Sequence, residues 1–172
     1  MPLTLVESPH PSLLDDSDLL RQCDRRTQKR SGPGGQHRNK TSSGVFLEHS
    51  SGVIGEATER RSQHDNESVA IHRLRLQLSI QRRTTPGPEV ELAKSIRNQG
   101  SGLPRMSSSN ALRSRVLAIL LDDTWACGGT PSHIAPRWQT TTSNIVRWIK
   151  AEPSAWTWLN QLRKFHGRPP LK

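Results

Sequence analysis

The chain of 172 residues has no tyrosine, two phenylalanines and two cysteines, and its first twenty positions hold no lysine or arginine. Each shortage excludes a class of protein. Cys23 and Cys127 stand far apart and outside any paired metal-ligand spacing. That argues against a disulfide framework or a zinc site and for two shielded free thiols. The longest unbroken apolar run, residues 116–121, is six residues long, against the roughly 20 that a membrane-spanning helix needs. Glu7, Asp15, Asp16 and Asp18 occupy a stretch without a basic residue, the opposite of a secretory n-region or an acid-poor transit peptide, so the expected location is the cytoplasm. With 31% apolar residues and a mean hydropathy of −0.70, the chain can bury one ordinary domain and a smaller companion, not a large multi-domain machine.

What the chain has in abundance is positive charge. Twenty-five Lys and Arg against fifteen Asp and Glu leave +10 and an isoelectric point near 11. This calls for a polyanionic partner, nucleic acid ahead of an acidic membrane surface. The excess falls in two blocks: residues 21–83 carry thirteen basic and six acidic residues, residues 111–172 carry nine and three, and the stretch between is near neutral. Within residues 21–40, seven basic residues meet only Asp24. All five tryptophans, Trp125, Trp138, Trp148, Trp156 and Trp158, follow residue 124. A core in the first half must therefore be built from small aliphatics, and two separately built units are expected.

Residues 1–18 read as a disordered leader. Residues 19–83 read as a small α+β domain, an antiparallel sheet packed by one long helix. A polar extended candidate at 23–29 precedes a Gly-rich loop; Val45, Leu47 and His49 then alternate, and Ser50-Ser51-Gly52 turns the chain into a second strand at 53–57. Ser62 with Asp65 three positions on has the form of a helix N-cap, and Ala70, Ile71, Leu74 and Leu78 recur at helical spacing to about residue 82. The opposite face is expected to carry Arg73, Arg75 and Arg82 into solvent or onto a polyanion. Residues 84–109 have the Pro, Gly and Ser content of a linker, with a short helix around 89–97 as the one candidate element in it. Residues 110–172 read as a small all-α bundle filled by tryptophan. Asn110 caps a helix with Leu112, Val116, Ile119 and Leu120 on one stripe. Pro131 and Pro153 take the favoured first helical position, and Ile145, Trp148 and Ile149, then Trp158, Leu162 and Phe165, continue the pattern. The helices around 131–137 and 141–151 have the outline of a helix-turn-helix, but packing is the stronger reading because their turn holds no Gly.

The chemistry concentrates in Ser31-Gly32-Pro33-Gly34-Gly35-Gln36-His37-Arg38-Asn39-Lys40-Thr41. Adjacent glycines let the main chain approach a ligand to contact distance and accept φ > 0 without a Cβ clash. Gln36 brings a backbone N–H and a neutral amide that donates or accepts but is no base near pH 7. Catalysis here would work by positioning and by donors aimed at developing charge, where one donor contributes about 2.7–4 kcal/mol. The spacing lacks the closing Gly-Lys-Ser/Thr of a P-loop and does not fit the dinucleotide fingerprint. On pattern alone, a phosphate-cradling or simply flexible loop stays open beside a catalytic one.

The segment SGPGGQHRNKT, followed by ERRSQHDN and a basic helix with Ala/Leu periodicity, closely resembles the catalytic domain of class I peptide chain release factors and of the single-domain peptidyl-tRNA hydrolases that rescue stalled ribosomes. The resemblance covers residues 19–83. It implies that Gly34 and Gly35 allow close approach to the tRNA 3′ end in the ribosomal peptidyl transferase centre. It further implies that the Gln36 backbone N–H stabilises the transition state and leaving group, while the Gln36 side chain orients water and is a substrate for N5-methylation by a glutamine methyltransferase. Ser31, Gly32 and Pro33 would shape the loop, and His37, Arg38, Asn39 and Lys40 would brace it on large-subunit rRNA. Arg60, Arg61, Ser62, Gln63 and Asn66 match the second motif, which supports the loop and touches RNA. No cofactor or metal is implied. Arg25 and Gln28 stand where the family commonly carries Val and Phe, and Arg38 where it carries Val.

No codon-reading domain precedes the loop in this sequence, so the leading expectation is codon-independent peptidyl-tRNA hydrolysis on stalled ribosomes, with the helical part recognising the stalled state. A non-catalytic rRNA-binding assembly or quality-control factor is the alternative, and a DNA-binding regulator built on the helical part is the third reading. His49, His64 and His72 are expected as hydrogen-bonded surface or RNA-facing residues rather than metal ligands.

Overall fold

The computed structural model describes residues 4–29, 43–84, 95, 103–107 and 109–172. Its architecture is mixed α/β. In chain order the described elements are β1 (Thr4–Val6), a 3-10 turn (Pro11–Leu13), α1 (Asp16–Arg21), β2 (Cys23–Gln28), β3 (Gly44–His49), β4 (Ile54–Ala57), α2 (Gln63–Gln81), β5 (Arg82–Thr84), α3 (Arg113–Ala126), α4 (Pro131–Ile134), α5 (Thr142–Lys150) and α6 (Pro153–Phe165). Backbone contacts divide the chain into Leu14–Leu78 and a second unit made of Met1–Leu13 with Ser79–Lys172.

In the unit Leu14–Leu78, β2, β3 and β4 form an antiparallel sheet in that order. The alternation of Val45 and Leu47 places both on the face that meets α2, where they join Leu19, Ala57, Ala70, Leu74 and Leu78 in one buried cluster. Burying each large aliphatic side chain contributes about 1.5–3 kcal/mol. Gly55 makes the close approach of β4 to α2 possible: a Cβ there would lie 2.5 Å from both the Ala70 carbonyl oxygen and Leu74 Cβ. β2 has almost no buried side chain and poor strand propensity, so its pairing with β3, not burial, defines it. Its charges find partners: Arg25 donates to Glu67 on α2 at 2.9 Å, and Arg26 pairs across the strands with Glu48.

Two expectations for this unit are corrected. Arg75 is 3% exposed and donates to Asp16 of α1 at 2.6 Å, so it does not face solvent or a polyanion. Arg73 does lie on the exposed face, tied to Glu59 at 2.6 Å and to the Glu56 carbonyl at 2.8 Å. His49 is buried rather than on the surface, its ring nitrogens lying 3.0 Å from Gln22 Oε1 and 2.8 Å from Ser51 Oγ.

In the second unit, β1 runs parallel to β5, with Thr4, Leu5 and Val6 opposite Arg82, Arg83 and Thr84. His10 is buried, accepts from the Ser12 N–H at 3.1 Å through Nδ1, and lies 3.2 Å from the Arg82 carbonyl through Nε2. The stretch read as a disordered leader is therefore structured from Thr4 onward. Three of its four acids have partners: Asp15 caps α1 through the Asp18 N–H, Asp18 meets Arg21, and Asp16 reaches Arg75 on α2. The strand pair also makes this unit more than an all-helical assembly. Arg83, on β5, is fully buried; it donates to Asp122 at 3.0 Å and to the Ser79 and Ile80 carbonyls, and stacks 4.4 Å from the Trp158 ring. Burial pushes its guanidinium down to about 10, with Asp122 opposing the shift.

α3 packs against β5, the 3-10 turn, α4 and α6, so the whole run 116–121 is buried rather than one stripe of it, and Leu112 is 41% exposed. The helix begins at Arg113, with Asn110 Oδ1 accepting from the Leu112 N–H at 2.8 Å just before it. Pro131 and Pro153 do open α4 and α6. Part of the linker-like stretch is tied down: the Pro104 carbonyl accepts from Trp148 Nε1 at 3.0 Å and the Met106 carbonyl from Arg113. The helix expected around 89–97 lies outside the described residues except for Ser95. Among the described residues no helix is long and apolar enough to cross a membrane.

Candidate functional site

Residues Ser31 to Lys40 of the Gly-Gly-Gln segment lie outside the described residues; what the structure supplies is the frame on either side. β2 ends at Gln28 and β3 starts at Gly44, and these two residues are register partners. The intervening segment therefore leaves and re-enters the sheet across one antiparallel pair. Gly44 is tightly enclosed, since a Cβ there would come within 3.1 Å of both the Gln28 carbonyl oxygen and Thr58 Cγ2. A larger residue would require Gln28 and Thr58 to give way by a few tenths of an ångström at the base of the segment.

The second motif is divided by burial. Arg60, Arg61, Ser62 and Gln63 are exposed, whereas Asn66 is fully buried. The Asn66 amide Nδ2 donates to the Ser43 carbonyl at 2.6 Å and to the Arg60 carbonyl at 3.0 Å, while its Oδ1 accepts from the Arg60 N–H at 2.9 Å. One side chain thus joins the exit of the Gly-Gly-Gln segment to the second motif. A carboxylate could not donate and an aliphatic could do neither, so the chemistry selects an amide. Ser62 Oγ accepts from the Asp65 N–H at 3.3 Å and its carbonyl accepts from the Asn66 N–H at 3.1 Å. This first-turn geometry brings Asn66 inward and leaves Gln63 outward.

Electrostatics sorts the basic residues further. Glu59 is held below the usual carboxylate range by its own and Thr58's backbone N–H, with Arg73 adding to the effect. It therefore stays ionised and occupies Arg73. With Arg25 and Arg26 also paired, Lys29, Arg60 and Arg61 are the exposed cations beside the segment that meet no carboxylate among the described residues. Such cations can contact phosphates without an internal competitor. Ser43, Gly44 and the Glu59–Arg73 pair are not legible in the sequence: a tight frame gives no compositional signal, and Glu59 pairs with Arg73, fourteen positions on, rather than with its neighbours Arg60 and Arg61. Among the described residues no group of three potential ligands could hold a metal ion.

Comparison with known proteins gives the frame a lineage. The RF-1 domain family model matches residues 20–118, which include both motifs. The chain is 34% identical over 119 residues to peptide chain release factor 1 of Novosphingobium aromaticivorans, covering 66% of this chain and 32% of that protein. It is 49% identical over 53 residues to peptide chain release factor 2 of Acidovorax ebreus, covering 30% of this chain and 14% of the relative. The chain thus spans about a third or less of the length of these relatives. With the family match running through the sheet, the paired motifs and the helix behind them, the chain belongs to the RF-1 domain family.

Proposed function

We propose that these 172 residues hydrolyse the ester joining a nascent peptide to tRNA on the ribosome, and do so whatever codon occupies the A site. The reading is carried by one observation: buried Asn66 bonds the exit of the Gly-Gly-Gln segment to the second motif, a frame that would hold a reactive tip at a fixed place. Two relatives bear the name peptide chain release factor, which supports the same chemistry. Residues 19–83 would be the catalytic domain and residues 110–172 the part that recognises the stalled complex.

In the proposed reaction, water attacks the ester carbonyl carbon, the bond to the tRNA 3′ oxygen breaks, and the water proton ends on that oxygen. Gly34 and Gly35 let the chain approach the ester, and the Gln36 N–H donates to the charge that develops on oxygen. The Gln36 amide orients the water, and its N5-methylation by a glutamine methyltransferase would tune that fit. Ser31, Gly32 and Pro33 shape the tip. His37, Arg38, Asn39 and Lys40, with Arg60 and Arg61, fix it on large-subunit rRNA. No residue of the loop needs to act as a base, so the contribution is geometric.

The test is peptide release from ribosomes carrying peptidyl-tRNA with an empty, a sense-codon or a stop-codon A site. The parent should release in all three. Gln36→Ala keeps the backbone N–H but loses the amide that orients water, and Gly35→Ala adds a Cβ where the tip must approach the ester, so each should reduce the rate by about 100-fold, the cost of misplacing the reacting groups by about 1 Å. Release confined to stop codons would refute codon independence. Ribosome co-sedimentation without release from any complex would favour the non-catalytic rRNA-binding alternative.

A further inference from the structure

α5 carries a surface that the proposed hydrolysis does not use. It buries Ile145 and Ile149 completely and turns Thr142, Ser143, Val146, Arg147 and Lys150 away from that core. Together with Ala151 and Lys172 these five line an open groove of about 540 Å3. Its charged side chains are all cationic, and none of the seven lining residues is acidic. The carboxylate nearest in sequence, Glu152, is not among the lining residues, and Asp122 and Asp123 are engaged elsewhere, with Arg83 and with Arg137 and Trp138.

The cations are held in place. Asn144 Oδ1 accepts from Arg147, and its Nδ2 donates to Thr140 Oγ1 at 3.1 Å. The Lys150 ammonium lies 5.4 Å from the Trp156 ring centre. The segment leading to Lys172 is fastened by Leu171 N–H to Asn160 and by Arg163 to the Pro169 carbonyl, at 2.8 and 2.9 Å. A guanidinium has five N–H donors, so the bond to Asn144 leaves Arg147 able to meet an anion as well. The shape also discriminates. A reader of the DNA major groove must project as a ridge, whereas a hollow with cationic walls and Val146 in its lining receives a strand, phosphates against the charges and sugar against the apolar side chain.

We propose that this groove docks the phosphodiester backbone of structured RNA, as a second RNA contact separate in sequence from the Gly-Gly-Gln segment. The choice of RNA over DNA rests on the release reading above; the groove rests on its geometry and charge. The experiment measures anisotropy of a labelled RNA hairpin, and of a DNA duplex of equal length, with the full chain over roughly 50–200 mM salt. Arg147→Ala with Lys150→Ala should lower the log–log salt slope by about 2, one per phosphate contact, and weaken RNA binding at least tenfold. Val146→Glu should weaken it too, with an unchanged thermal melt for each variant. Lys164→Ala, which removes an exposed cation outside the groove, should leave the slope unchanged; a loss equal to that of Lys150→Ala would reduce the effect to general attraction and overturn the groove. Equal affinity and equal loss with DNA would overturn the assignment to RNA. Peptide release, read on the same variants, separates the two proposals. Groove variants that bind as the parent does while release proceeds sink the groove alone, and a parent that binds RNA but releases nothing, with binding lost in the groove variants, sinks the release reading alone.

Discussion

Asn66 and Arg83 illustrate how much a single buried side chain can organise. Asn66 closes three hydrogen bonds with no exposure. Asn66→Ala should leave the Ser43 and Arg60 carbonyls and the Arg60 N–H without that partner and cost about 2–3 kcal/mol in urea melts. If Asn66 positions the loop, release at saturating ribosomes should fall further than ribosome affinity does; equal falls would indicate a purely structural role. Asn66 was legible in the sequence through its motif. Arg83 was not, although the same physics governs it. Nothing local distinguishes Arg83 from Arg82 next to it, which is half-buried rather than facing solvent as its place on the helix pattern suggests; the full burial of Arg83 depends on Asp122, Trp158 and the Ser79 and Ile80 carbonyls, which only the folded unit brings together. Arg75 escaped for the same reason, because its partner Asp16 sits fifty-nine positions away.

At the level of elements, the hairpin and α2 follow from apolar spacing because their burial is one-sided, and one-sided burial writes itself into periodicity. β2 and β1 do not follow from it. Both are held through backbone pairing, which leaves no apolar signature. α3 is the opposite case: enclosed by four neighbours, it shows an unbroken apolar run in which no stripe can be picked out. Gly55 tests the sheet-to-helix contact. Gly55→Ala would set a Cβ 2.5 Å from the Ala70 carbonyl oxygen and should cost about 1–3 kcal/mol by overpacking, measured by chemical denaturation. α1 offers a pH test. The Asp18 N–H and then the Ser17 hydroxyl hold Asp15 below its usual 3.8. A carboxylate lowered in the folded state stabilises above its unfolded pKa and loses that contribution as pH falls through the folded value. Asp15→Asn should therefore flatten the acid limb of a stability profile below about pH 4 and leave the slope near neutrality unchanged.

For the whole molecule, the two units are optically distinct. Every tryptophan belongs to the unit of Met1–Leu13 and Ser79–Lys172, and Leu14–Leu78 has none. Tryptophan emission during denaturation should report that unit alone. Deleting residues 1–13 should lower its midpoint, because β1 and buried His10 are part of its structure; an unchanged midpoint would return those residues to the status of a leader. The parallel pairing of β1 with β5 also fixes an order of events during synthesis. Leu14–Leu78 is continuous and can close as soon as its last residue leaves the ribosome. β1, made before β5, has no partner until β5 emerges, roughly 4–16 s later at about 5–20 residues per second. The earlier strand of this pair thus waits for the later one, and the proposed catalytic portion is complete before the two can meet.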